Sequence, residues 1–262
     1  MEQAWRAFVE NRSNFVLFAL VPSIVVTFAY VTGSLLCWAL DGVSSLRKYK
    51  LQPKVHPPTA WRDCLKHVFF HKLTSEIPLT FAGYPIFVAV GVSATGPLPS
   101  VGKVLATLIA SFVIEDAWHY GAHRALHIRW AYKKIHSIHH RYTTPFGPAA
   151  NYAHPVETLF TGFGTLLAVI VLRPHLVTML IWIVVRQWQA ISVHVGYDFP
   201  WRPSRFIPFL GGARFHDRHH RRFKSNYAPT FVWFDRLLGT ADEKELGVPQ
   251  SGAAVASVIE EE

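Results

Sequence analysis

The stretch from Trp118 to Tyr142, WHYGAHRALHIRWAYKKIHSIHHRY, holds six of the chain's 15 histidines. His119, His123 and His127 stand at i, i+4 and i+8, so on an α-helix three imidazoles share one face. His136, His139 and His140 follow HxxHH spacing, where i, i+3 and i+4 again share a face. Far downstream, RFHDRHHRRF repeats that spacing with His216, His219 and His220. Neutral imidazole is the commonest protein metal ligand, and such stacks offer several lone pairs to a common point. The donors exceed what one ion of ordinary coordination number takes, so two neighbouring ions are expected. No cysteine joins them, which argues against structural zinc of the finger type. Imidazole suits iron, zinc, copper or nickel, and the ligand type alone does not choose among them.

Two further histidines lie level with these arrays. His154 sits before a proline in NYAHPVET, ahead of an apolar segment, and is a candidate either for ligation or for orienting a ligand. His194 closes an apolar segment in SVHVGYD, with Asp198 four residues on, and is read as a ligand. His56, His67, His71 and His175 are read as structural. Glu115 and Asp116, beside the first array, are either outer partners of the site or ordinary boundary charges. Cys37 and Cys64 match no disulfide or metal spacing.

The elements that must position these groups are apolar. Half of the 262 residues are hydrophobic and only 16% are charged, against roughly 25% in ordinary soluble domains. Residues 15–40 run without a charge, longer than the ~20 residues a spanning helix needs and too long for the apolar core of a signal peptide. Further apolar stretches cover 77–92, 101–114, 159–172 and 176–193, and the later four read as two helical hairpins. The expected fold is an all-α integral membrane protein of about four to five transmembrane or re-entrant helices. A cytoplasmic helical cap would carry the histidine-rich site for two metal ions. Net charge is +9. The basic residues flank apolar runs, which fits anionic lipid headgroups and not nucleic acid. With a lumenal N-terminus, the loop 41–76, the loop 115–158 and the tail after 194 all fall on the cytoplasmic side, together with every histidine array. The expected organisation is an anchor and basic loop at 1–75, a catalytic membrane region at 76–245 and an acidic flexible tail at 246–262.

The motifs EDAWHYGAHRALH, YKKIHSIHHRYTTPFGPAANYAHPVET, HVGYDFPW, IPFLGGARFHDRHH and NYAPTFVWFDRLLGT resemble the membrane fatty acid hydroxylase/sterol desaturase superfamily, and within it the branch acting on 4-methylsterols. The resemblance runs from about Glu115 to Thr240, nearly half the chain. It implies a metal set of His123, His127, His136, His139, His140, His194, His216, His219 and His220. His119 falls outside the usual first box, and Asp198 stands where some relatives carry a second histidine, so both are candidates for ligation or for orienting a ligand. The implied activity is oxygen-dependent oxidation of a sterol 4-methyl group by two non-haem iron ions. Electrons from a reduced nicotinamide would arrive through a separate cytochrome b-type donor or reductase, since no nucleotide-binding or haem motif is visible. The resemblance further implies an endoplasmic reticulum membrane, other sterol 4-demethylation enzymes as partners, and a sterol entering from the bilayer. Tyr152, Trp188, Phe231 and Trp233 are candidates to line its path. The C-terminal SVIEEE carries no dilysine-type retrieval signal. The alternatives are a sister activity (sterol 5-desaturation, or hydroxylation of a fatty acid or sphingolipid) and a membrane metal transporter or sensor. Transporters place ligands near the midplane of their spans. Here the arrays lie outside the apolar runs.

Overall fold

A computed structural model of the chain describes residues 2–53, 56–57 and 59–242. The acidic tail expected at 246–262 and Lys54 of the basic loop lie outside the described residues. No strand forms among the described residues; Lys50–Tyr197 and Leu210–Phe231 make isolated antiparallel bridges.

A short helix α1 (Glu2–Val9) leads through a π-helical turn (Val16–Leu20) into α2 (Val21–Gly42). Then come α3 (Ala60–His71), a second π-helical turn (Lys72–Glu76) and α4 (Ile77–Ala89). Each π-turn precedes a helix with proline in its first turn, Pro22 or Pro78. Proline has no N–H to give the preceding turn, and a widened turn absorbs the missing bond.

Helix α5 (Val101–Leu126) starts at Ser100, whose hydroxyl accepts from the Lys103 N–H. It runs well past the apolar stretch 101–114, so the first histidine array is the continuation of an apolar helix. The three-residue α6 (Arg129–Ala131) then passes into a third π-turn, Tyr132–His136. Helices α7 (Pro155–Leu172) and α8 (Leu176–Val193) form a hairpin. Arg173 ends α7 in the left-handed conformation, and His175 caps the start of α8. The short helices α9 (Gly212–Arg222) and α10 (Trp233–Leu237) complete the chain.

Among the described residues, three helical stretches are long and apolar enough to cross a membrane: Val16–Gly42, Pro155–Leu172 and Leu176–Val193. The remaining apolar stretches form α4, which is short and interrupted by Pro85, and the first half of α5. That half exposes Val101, Leu105, Ile109 and Val113. At four-residue spacing they make one outward apolar stripe. Exposed Ile24, Phe28, Leu35 and Trp38 do the same on α2.

Contacts at the two ends of this bundle define its direction. At one end the Trp5 indole N–H donates to the Ala94 carbonyl, the Leu176 N–H donates to the Ser93 carbonyl, and Phe15 packs on Phe81 and Tyr84. The N-terminal helix and both hairpin turns therefore share that end. At the other, the Tyr197 hydroxyl donates to Asp41 and the Asp198 N–H donates to the Tyr49 carbonyl. All histidine arrays gather there. The loop after the second array is seated on α2 through Gly147, where an added Cβ would overlap the Cys37 side chain. Cys37 and Cys64 are both buried and free.

Candidate metal centre

Four segments deliver the histidines. The last turns of α5 present His119 and His123, with His127 as the capping residue. The third π-turn ends on His136, and a tighter 3-10 turn follows with His139 and His140. His194 caps the end of α8, and α9 carries His216, His219 and His220. HxxHH in the second array is therefore read on a changing helical pitch and not on a regular α-helix.

Nine of these side chains collect into two groups whose ligand atoms lie within 4.8 Å of one another. One comprises His123, His127, His136, His140 and His219; the other comprises His139, His194, His216 and His220. The same nine residues were expected as ligands. The groups adjoin, with the rings of His140 and His220 centred 4.6 Å apart.

Within the first group, the His123 and His136 Nε2 atoms are 3.1 Å apart, those of His140 and His136 3.1 Å, and those of His219 and His140 3.2 Å. Within the second, His194 and His139 approach to 3.3 Å and His216 and His194 to 2.9 Å. The contact of His194 with His139 is not an imidazole hydrogen bond, because both rings carry their protons elsewhere. The His123 Nδ1–H donates to the Tyr227 carbonyl (2.7 Å), that of His219 to Ser225 (2.7 Å), that of His139 to Tyr152 (3.2 Å) and that of His194 to Ala190 (2.8 Å). A carbonyl only accepts, so each ring carries its proton on Nδ1 and leaves Nε2 bare. His136 Nδ1 stands 2.9 Å from the Glu157 carboxylate. Bare nitrogen lone pairs facing at this range repel unless a cation lies between them. Nitrogens held ~2.0–2.1 Å from one ion stand roughly 3.0–3.4 Å apart, which matches the observed spacings. The residues fit a pair of metal ions.

Burial keeps these imidazoles neutral. It lowers His139 and His127 from 6.5 to about 4 and drives His136, His140, His194, His216, His219 and His220 down further, with the neighbouring rings adding to the effect. A neutral ring is the ligating form.

The other expected site residues lie apart from both groups. His119 turns its Nδ1 to the buried Glu115 carboxylate, 3.1 Å away, although its ring centre is only 5.7 Å from that of His123. His154 is a helix cap, its Nδ1 accepting from the Val156 N–H at the start of α7. Asp198 pairs with Arg202 and Arg214. Glu115 binds Arg186, and Asp116 accepts from the Thr230 and Phe231 N–H groups and the Trp233 indole. Asp116 thereby pins the loop that also supplies the Tyr227 and Ser225 carbonyls.

A cavity of about 640 Å³ reaches the site, within the ~300–1,000 Å³ range of small-molecule pockets. Its walls are mainly apolar side chains of α2, α4, α7 and α8, including Val26, Ile86, Phe87, Leu166 and Met179. At its polar end lie His123 and His136 of the first group and His139, His194 and His216 of the second, so both groups border it. Tyr152, Trp188, Phe231 and Trp233 are not among its lining residues. Tyr152 packs on His67, the Trp188 indole donates to the Ala29 carbonyl, and Phe231 and Trp233 stack with Phe209 around Asp116. Their amphipathic rings are spent on packing and anchoring.

Two residues that sequence reasoning passed over do line the cavity: Glu157 and Arg186. Each had a sequence signal, an ionisable side chain inside or at the edge of an apolar run, where such groups are costly and have partners.

The family model for fatty acid hydroxylases matches residues 108–240, the span that holds every histidine of both groups. Methylsterol monooxygenase 2-2 of Arabidopsis thaliana is 39% identical over 92% of this chain and 91% of its own length. Methylsterol monooxygenase erg25B of Aspergillus fumigatus is 40% identical over 92% of this chain and 83% of its own. Very-long-chain aldehyde decarbonylase GL1-8 of Oryza sativa subsp. indica is 37% identical over 92% and 91% respectively. No solved structure matches. The chain belongs to the fatty acid hydroxylase family.

Proposed function

We propose that the protein is a membrane monooxygenase that oxidises the 4-methyl group of a sterol precursor, holding two non-haem iron ions in its histidine groups. The observation that carries this reading is the shared border: one apolar cavity ends on rings of both groups. A donor set of imidazoles facing an apolar ligand suits oxidation of an unactivated C–H bond, which side-chain acid–base chemistry does not perform. Bound iron would supply the oxygen activation. The chain's own residues do the rest. Tyr227, Ser225, Tyr152 and Ala190 carbonyls and the Glu157 carboxylate fix the ring orientations. The apolar walls exclude water and align the ligand.

Each oxidation of methyl to hydroxymethyl consumes one oxygen molecule, two electrons and two protons and yields water. Further rounds lead to aldehyde and carboxylate. The electrons come from a reduced nicotinamide through a separate cytochrome b-type donor or reductase, docking on the basic face around Lys133, Lys134 and Arg221. Positive charge at the histidine end sets that face toward the cytoplasm, in the endoplasmic reticulum membrane. The sterol enters from the bilayer, and other sterol 4-demethylation enzymes act on the product. The methylsterol monooxygenase relatives favour this substrate over the sister activities.

The test supplies membranes containing the protein with a 4,4-dimethylsterol, oxygen, a reduced nicotinamide and an electron carrier, and looks for 4-hydroxymethyl and 4-carboxy products. Their appearance supports the reading. Conversion of a very-long-chain aldehyde or hydroxylation of a fatty acyl chain, with the sterol untouched, overturns the substrate assignment.

A further inference from the structure

Arg186 is the one ionisable residue of the mainly apolar helix α8, a placement that is costly without a partner. Its Nη2 donates to the fully buried Glu115 carboxylate of α5 at 2.7 Å, and its Nη1 donates to Gln189 Oε1 at 2.7 Å. Gln189 in turn donates to the Pro229 carbonyl at 2.7 Å. Glu115 Oε1 also receives His119 Nδ1 at 3.1 Å. Neutralising a buried guanidinium would need only the carboxylate, yet the network holds more polar capacity than it uses. The Arg186 Nε–H is buried without a hydrogen-bond partner, and His119 is left with an Nε2 that no hydrogen bond engages among the described residues. A second oxygen of the Glu115 carboxylate is likewise buried without a partner, and a buried N–H that faces a cavity without a partner is open to a ligand.

His119 and Arg186 both line the cavity, at the end where His123 and His136 also reach it. His119 Nδ1 stands 3.1 Å from the Glu115 carboxylate, which only accepts, and 3.4 Å from Arg186 Nη2, which only donates; the closer carboxylate places the proton on Nδ1 and makes Nε2 an acceptor. The Arg186 Nε–H is a donor. One donor and one acceptor from two residues that line the same apolar cavity match a hydroxyl, which accepts and donates at once. A sterol carries a hydroxyl on the ring carbon next to the one bearing the 4-methyl groups. Gripping that oxygen beside the histidine groups sets where the methyl group lies.

We propose that His119 and Arg186, positioned by Glu115, hold the ring hydroxyl adjacent to the reacting carbon of the sterol. This rests on the sterol reading above and adds the residues that orient the substrate. His119 is then a substrate-binding histidine, which explains why it keeps the helical phase of its array and yet joins neither metal group.

The test measures displacement of a fluorescent sterol from the full chain in lipid discs by three competitors: a 4,4-dimethylsterol, its 3-deoxy analogue and its 3-ketone. The wild-type chain is expected to bind the hydroxyl compound roughly ten- to a hundredfold tighter than the deoxy compound, with the ketone between them because it only accepts. In His119→Phe the hydroxyl-to-deoxy ratio is expected to fall to within a few-fold of one, a change that a loss of packing alone would not produce. Equal binding of hydroxyl and deoxy compounds by the wild-type chain overturns the assignment and leaves the sterol reading standing, even if His119→Phe does not fold. An unchanged ratio in His119→Phe also overturns it. Failure of every sterol to displace the probe overturns the sterol reading itself.

Discussion

The two histidine groups are built differently. The five-histidine group draws four members, His123, His127, His136 and His140, from one short stretch and needs only His219 from far away. The four-histidine group has one member, His139, from that stretch and takes His194 from the end of α8 and His216 and His220 from α9. Among the described residues, only the first group has a carboxylate behind a ring, Glu157 behind His136. Both groups otherwise share their supports: carbonyls face the Nδ1 atoms of His123 and His219 in the first and of His139 and His194 in the second, while the buried Nδ1 atoms of His140, His216 and His220 make no hydrogen bond. A carboxylate partner raises ligand basicity and fixes the ring. One metal position is therefore mostly local with a carboxylate behind it, while the other exists only when three distant segments have packed.

Removing a ligand from the second group should have the largest effect. His216→Ala leaves that group three imidazoles, and activity should fall at least ~100-fold, with bound metal dropping toward about one ion per chain. His127→Ala leaves the first group four imidazoles and should cost less. If His127→Ala is the more damaging, the asymmetry is wrong.

The Glu157→Ala change removes the feature that sets the groups apart. Metal affinity of the first group should weaken about 10–100-fold, read by competition with a chelator, while the second is unaffected. Equal weakening of both would erase the distinction.

Acid tests both groups together. His127 and His139 sit at about 4 in the folded chain against 6.5 ordinarily. The unfolded chain therefore takes up these protons first, and stability rises with pH across that window. The melting temperature of the metal-free chain should fall as pH drops from 6.5 toward 4, and bound metal should resist the loss. A flat profile would mean the rings are less buried than described.

The smallest effect belongs to His154. Because it caps α7, His154→Ala should cost only about 1 kcal/mol in thermal or denaturant unfolding and leave metal content unchanged. Loss of an ion would make it a ligand after all.

Much of this was legible in the sequence, for stated reasons. Histidines at i, i+3 and i+4 announce a shared face, and apolar runs announce the helices that present it. The division of the nine was not legible. His139 and its neighbour His140, both in the 3-10 turn, enter different groups because successive residues of a helical turn point in different directions. In α9, His219 and His220 point to different groups although they are adjacent. His119 has the phase of a ligand, but Arg186, which comes from α8, and Glu115 redirect it. The aromatic candidates failed as cavity walls because ring type marks a membrane interface as readily as a binding path.

Metal analysis of the purified, iron-supplied chain, joined to magnetic spectroscopy, decides whether the two histidine groups hold a pair of ions. Two adjoining groups predict about two iron ions per chain that are magnetically coupled to each other. A single ion per chain, or two ions without coupling, would contradict that pairing.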